Sequence, residues 1–197
     1  MNVGIAPLEL TDLSDDLRQQ LSPRVQRLGY LGDFFRYCGH QPTALLHFDR
    51  FTEALKKAVP ADLTETVALT IATAAGNEYE RAQHERLASK LGFSAAWIEA
   101  LTSATPSPDA LSDEQLDARS LALAMLGGEW DHAQSCLATL AARVGQEQAV
   151  GVLMLVGRYL AHAAISNTLH LTIPPAIQLA PATQAASTLP GARQTTA

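Results

Sequence analysis

The chain has 197 residues, 47% of them hydrophobic, and a formal net charge of −6 from 14 basic and 20 acidic side chains. That length suffices for one sizeable buried core, and that composition excludes a disordered polymer. No basic run occurs, so neither a nucleic-acid partner nor an anionic membrane surface is expected.

Alanine and leucine dominate, and strand-favouring residues never cluster into alternating runs, so the expected class is all-α, a bundle of about eight helices. Met1–Ile5 lacks the basic region and apolar core of a secretory signal, and none is read there. Residues 1–11 read as an arm. The first helix starts near Ser14, where Asp15 and Asp16 suit a helix N-terminus, and Pro23 is expected to interrupt or restart it. A short helix over 31–37 precedes a turn at Gly39-His40-Gln41-Pro42. Leu45, Leu46, Phe48, Phe51 and Leu55 then recur at helical spacing over 43–58.

Pro60 ends that helix and opens the next, 62–75, which is apolar all round and therefore central. Gly76 is its natural stop. Asn77 opens a helix to about Lys90, closed by Gly92, and Ser94 caps a short one over 95–102. Residues 102–110, with two prolines, read as a loop. Ser112-Asp113-Glu114-Gln115 has the spacing of a capping box for a helix to about Met125. Gly127-Gly128 breaks the pattern before two last helices, 130–143 and 146–165. The apolar stretch Ala149–Ile165 is interrupted by Arg158 and His162, and reads as too short for a membrane span. Beyond 175 the composition shifts to Ala, Thr, Gln and Pro. One domain over 1–175 with a disordered tail over 176–197 is the expected organisation.

The informative segment runs from Glu65 to His84. It puts a carboxylate early in one apolar helix, then a glycine break, then a second helix bearing Asn77, Glu80 and His84 on one face. If the glycine turn folds the two helices together, Glu65 approaches that face. A histidine held by one carboxylate beside a second is a proton-transfer unit, with burial and mutual repulsion available to separate the two carboxyl pKa values.

This segment resembles the carboxymuconolactone decarboxylase/AhpD family. AhpD-like members carry a glutamate, eleven residues, a Cys-x-x-Cys and, four residues further, a histidine. The pattern falls here on Glu65, Asn77, Glu80 and His84, with Gly76, Tyr79 and Ala82-Gln83-His84 also in keeping. Gly39–Pro42 with the apolar helix after it is similar to the family's upstream helical pair. Val152–Asn167, with Tyr159, looks like its closing helix, so the resemblance covers about residues 30 to 170. Peroxidase chemistry in that family needs a low-pKa thiolate and a resolving thiol. Asn77 and Glu80 supply neither. The resemblance therefore implies the decarboxylase branch, many of whose members read Glu-Tyr-Glu as this chain does at 78–80.

Implied with it are a homo-oligomer (dimer, trimer or hexamer), no cofactor, and a small organic acid, lactone or carbonyl compound as substrate. His84 would be the acid or base, with Glu80 and Glu65 orienting it or sharing its proton. Asn77, Tyr79, His40, Tyr159 and His162 are the candidate substrate contacts. A plainer reading stands beside this: Asn77 and Glu80 as a near capping box, and Glu65 as a charge favoured by the helix dipole. A ligand-binding or scaffold relative is the alternative function, and residual alkylhydroperoxidase activity a remote third.

Cys38 and Cys136, far apart in sequence, read as free thiols in a reducing cytoplasm. No set of three metal ligands at a recognised spacing occurs, and no phosphate loop, nucleophile elbow or dinucleotide fingerprint.

Overall fold

A computed structural model describes residues 4–103 and 108–173. The loop expected over 102–110 lies partly outside them, and the tail expected over 176–197 lies wholly outside. The described residues form nine α-helices: α1 Asp15–Leu28, α2 Asp33–Cys38, α3 Pro42–Ala58, α4 Ala61–Ala74, α5 Glu78–Leu91, α6 Ala95–Thr102, α7 Asp113–Leu126, α8 Trp130–Val144 and α9 Gln146–Thr168. Short 3-10 turns at Leu10–Asp12 and Pro108–Ala110 complete the regular structure, and among the described residues there is no strand. The all-α expectation holds, with nine helices where about eight were expected.

Local chemistry sets the helix ends. Ser14, Ser94 and Ser112 each accept a backbone N–H from the first turn of the helix they cap. At Ser112 the capping box is complete, because Gln115 Oε1 accepts the Ser112 N–H in return at 3.1 Å. Pro23 does not break α1. Leu17 and Leu21 on the inner face of α1 are fully buried, and the Ser22 hydroxyl donates to the Arg18 carbonyl at 2.5 Å. Packing on that face holds the helix continuous across the proline.

The centre of the bundle is α4, whose residues 63–72 are buried without interruption. It packs against α5, α6, α7 and α9. Val67, Leu69 and Ile71 are each at most 1% exposed, and each such burial contributes roughly 1.5–3 kcal/mol. One core joins α4 to α7, α8 and α9 through Leu121, Leu140, Val152, Leu155 and Val156. A second gathers Leu17, Leu21, Phe34, Leu45 and Tyr79 from α1, α2, α3 and α5.

Helix α9 runs three residues beyond the expected end. At 23 residues, with a mean hydropathy of 1.5 over its most apolar 18, it is by length and composition long and apolar enough to cross a membrane. One face of it supplies Val152, Leu155, Val156 and Tyr159 to the core. Its last turn is tied back to α4 by Asn167 Nδ2, which donates to the Ala75 carbonyl at 2.9 Å.

Candidate active site

The turn between α4 and α5 decides which groups the site receives. Gly76 adopts φ +61°, the left-handed region where a side chain is strained. Its N–H donates to the Thr73 carbonyl at 3.1 Å, and the Asn77 N–H reaches back to the Ala72 carbonyl at 2.7 Å. Those two bonds are a Schellman closure of α4. Asn77 Oδ1 then caps α5 by accepting the Glu80 N–H at 3.0 Å.

The capping box stays half made for a physical reason. The Asn77 backbone N–H is already spent on the Ala72 carbonyl, so the bond that would complete the box is not offered to the Glu80 carboxylate. It turns inward instead, 7% exposed, toward α9.

His84, one turn along α5 from Glu80, is the hub. Its Nδ1 is 2.7 Å from Glu65 Oε2, a hydrogen bond between groups that are both buried. A carboxylate can only accept, so Nδ1 carries a proton, and in the neutral imidazole the lone pair is then on Nε2. Nε2 stands 3.9 Å from Glu80 Oε2, beyond a direct hydrogen bond. The Tyr159 ring meets the His84 ring edge-on at 5.3 Å and supports it.

Helix α9 adds two groups around Glu80. His162 Nδ1 lies 3.2 Å from Glu80 Oε2 and shares a 3.1 Å hydrogen bond with Ser166 Oγ. Its ring is stacked on Phe34 at 3.9 Å between centroids. Arg158 Nη1 lies 3.7 Å from Glu80 Oε2, while its Nε donates to Thr52 Oγ1 at 3.0 Å. The Arg158 guanidinium also lies over the Tyr159 ring, 4.3 Å from its centre.

These side chains border a cleft of about 210 Å³ lined in part by His84, Glu80, Tyr79, His162, Arg158 and Lys56. That is below the range of drug-sized pockets, roughly 300–1,000 Å³, and suits a small molecule.

Burial on its own would raise the Glu80 pKa, but the facing His162, His84, Arg158 and Lys56 outweigh it and hold the carboxyl below its ordinary value. Arg158 is the partner whose charge is permanent. Burial drives His162 the other way, from 6.5 to about 3, against the opposing pull of Glu80. Glu80 is thus ionised and His162 neutral at neutral pH.

An unfolded His162 takes up a proton below pH 6.5, which the folded chain does not do until about pH 3. Stability from this group is therefore full above pH 6.5 and is lost as pH falls toward 3, with a slope of at most about 1.4 kcal/mol per pH unit. Depression of the Glu80 pKa has the same sign at lower pH. Urea midpoints should fall steadily below pH 6.5, and His162→Gln should flatten the upper part of that decline. An identical pH profile in the variant would show that His162 does not titrate as its burial requires.

Of the sequence candidates, Glu65, Glu80, His84, Tyr79, Tyr159 and His162 come together. Tyr159 sits beneath His84 at 1% exposure and does not line the cleft. The Tyr79 hydroxyl accepts the Phe34 N–H at 3.4 Å and is engaged in packing α2 onto α5. Asn77 is a helix cap behind the site. His40 is not brought in: it is exposed, with Nε2 2.8 Å from the Ala6 carbonyl, tying the N-terminal arm to the turn before α3.

Cys38 and Cys136 are free thiols outside the cleft. Burial pushes the Cys38 thiol up to about 11, and burial with Asp117 nearby raises that of Cys136. Among the described residues no group of three potential ligands could hold a metal ion. Sequence reading missed Arg158, Lys56, Thr52 and Phe34. A signal for Arg158 was present: a lone cation in an apolar helix, four residues before His162 and so on its face.

Fold and site together define an all-helical protein of the AhpD-like fold with a buried Glu–His pair opening on a charged cleft. Crystal structures of AhpD-like proteins share its architecture. An alkylhydroperoxidase AhpD core, an uncharacterized peroxidase-related protein from Ralstonia eutropha JMP134, superposes with a TM-score of 0.76 at 15% identity, covering 88% of this chain and 93% of that one. The debrominase Bmp8 without ligand gives a TM-score of 0.69 at 19% identity, over 90% of this chain and 96% of that one. A cysteine-to-alanine variant of Bmp8 in complex with 2,3,4-tribromopyrrole gives 0.68 at 18% identity, over 90% and 95%. No protein-family model matches the chain, and no curated protein does.

Proposed function

We propose that the chain is a cofactor-independent acid–base enzyme of the carboxymuconolactone decarboxylase type, acting on a small organic acid, lactone or related carbonyl compound. The observation that carries this reading is the 2.7 Å bond from His84 Nδ1 to buried Glu65, which leaves the basic Nε2 for the cleft. In this reading Nε2 removes a proton from the carbon next to a carbonyl, and the C–H electron pair passes into the carbonyl as an enolate. Glu65 stabilises the imidazolium that results. In a decarboxylation the same groups act in reverse order. Carbon dioxide departs, its bonding pair stays on the carbon as the enolate, and the Nε2–H of a protonated His84 delivers the proton.

Glu80 supports this reading over that of a ligand-binding or scaffold relative, because its carboxylate faces the cleft and not its own helix start. A thiol peroxidase is the poorer fit, since both thiols lie away from His84 and have raised pKa values. Among proteins of this fold, one acts as a debrominase and one structure holds a bromopyrrole, so the architecture is compatible with chemistry on small molecules.

Solvent exchange tests the proposal without knowledge of the natural substrate. Incubated in D₂O with a panel of small keto acids and lactones, the chain should place deuterium on the carbon beside the carbonyl of at least one, read by NMR. A panel with no exchange above the protein-free rate would remove the reading.

A further inference from the structure

Six lysine and arginine side chains line the cleft against three carboxylates, in a chain whose net charge is −6. Arg24 is already neutralised, 2.7 Å from Asp49 and 2.9 Å from Glu53. Lys56 and Arg158 are different. Thr52 holds Arg158 Nε at 3.0 Å, and Lys56 stands one turn beyond Thr52 on the same face of α3, so the ammonium and the guanidinium are neighbours.

Among the described residues no carboxylate lies within ion-pair distance of Lys56. Arg158 Nη1 is buried with no hydrogen-bond acceptor, at 3.7 Å from Glu80, and the whole side chain is 10% exposed. A buried guanidinium nitrogen without an acceptor costs free energy unless something arrives to accept from it.

We propose that Lys56 and Arg158 form an anion subsite that takes the carboxylate of a small organic acid and turns its neighbouring carbon toward His84 Nε2. The orienting part rests on the acid–base reading of His84; the binding part does not. Lys56 and Arg158 face Glu80 across the cleft, where Arg158 Nη1 still has no hydrogen-bond acceptor; Glu53, held by Arg24, also acts on Lys56. Glu65, the next carboxylate, faces His84 and does not line the cleft. The guanidinium fork suits a carboxylate, and the ammonium adds a point charge beside it. Burial and the Arg158 charge hold the Lys56 amine below its ordinary lysine value, and a bound anion would relieve the repulsion between the two cations.

Calorimetric titration of the full chain with benzoate, benzamide and inorganic phosphate tests this. Benzoate should bind at least roughly tenfold more tightly than benzamide, the difference expected for hydrogen bonds to a charged group. Lys56→Met, a good helix former at a partly buried site, should weaken benzoate about tenfold and leave benzamide unchanged. Arg158→Gln should do the same if it folds, and Arg143→Gln, outside the cleft, serves as the charge-matched control.

Equal binding of benzoate and benzamide, full benzoate affinity in Lys56→Met, phosphate bound in place of benzoate, or no binding of any of the three would each overturn the subsite. The two readings fail separately. Benzoate preference without any deuterium exchange would count against the acid–base chemistry alone. Exchange without benzoate preference would count against the subsite alone.

Discussion

His84→Ala should lower turnover by roughly 10²–10⁴ while the far-UV circular dichroism stays that of the helical parent. The factor is that of a positioned acid or base, and the geometry says why His84 is positioned. Its ring is held at Nδ1 by Glu65, supported by Tyr159, and free at Nε2. Alanine removes the proton carrier and also strands the Glu65 carboxylate at 2% exposure, so some stability is lost as well. His84→Gln separates the two effects, since an amide can still donate to Glu65 but cannot shuttle a proton. Its turnover should be as low as that of His84→Ala, with a melting temperature closer to the parent. Full turnover in either variant would end the acid–base proposal.

Glu80→Ala should be the most destabilising single change at the site. It leaves Arg158 in the bundle with no counter-charge, and removing one partner of a buried pair typically costs 3–5 kcal/mol. The 3.7 Å separation, with no direct hydrogen bond, argues for the lower end, about 3 kcal/mol, or roughly 6–12 °C in Tm for a domain of this size. Desolvation works against Glu80, yet its pKa is lowered, which says that the surrounding charges favour the ionised form overall. Glu80→Gln keeps an acceptor for Arg158 and should recover part of the loss. An unchanged Tm in Glu80→Ala would mean that Arg158 is satisfied elsewhere and that Glu80 does not organise the site. The comparison is made by calorimetry at pH 7, above the range in which His162 titrates.

How far the site was legible differs from residue to residue. Spacing let Glu65 approach the face that carries Glu80 and His84, provided the glycine turn folds one helix onto the other; that His84 bonds Glu65 at 2.7 Å and stands 3.9 Å from Glu80 was decided by the fold. Glu80 carried two readings, cap or site, and no spacing separates them: a glutamate at N3 after an Asn cap satisfies both. The choice was made by the backbone of Gly76, whose closure of α4 uses the Asn77 amide that the cap would have needed. Arg158 read as an interruption of an apolar helix, because its value depends on Thr52 and Glu80, 106 and 78 positions away. His40 was a candidate substrate contact, but nothing local says which side of its turn faces the cleft, and its ring ties down the N-terminal arm instead.

From the order of residues alone came the all-helical class, most of the helix ends, and the frame of Glu65, Glu80 and His84. Caps, glycines and 3.6-residue periodicity act between near neighbours and are written where they act. Only the tertiary structure decided that α1 would run through Pro23, that α9 would bring Arg158 and His162 to Glu80, and that Lys56 would stand in the same cleft. Those outcomes come from burying apolar faces against one another, a force without direction along the chain, which joins residues a hundred positions apart as readily as adjacent ones.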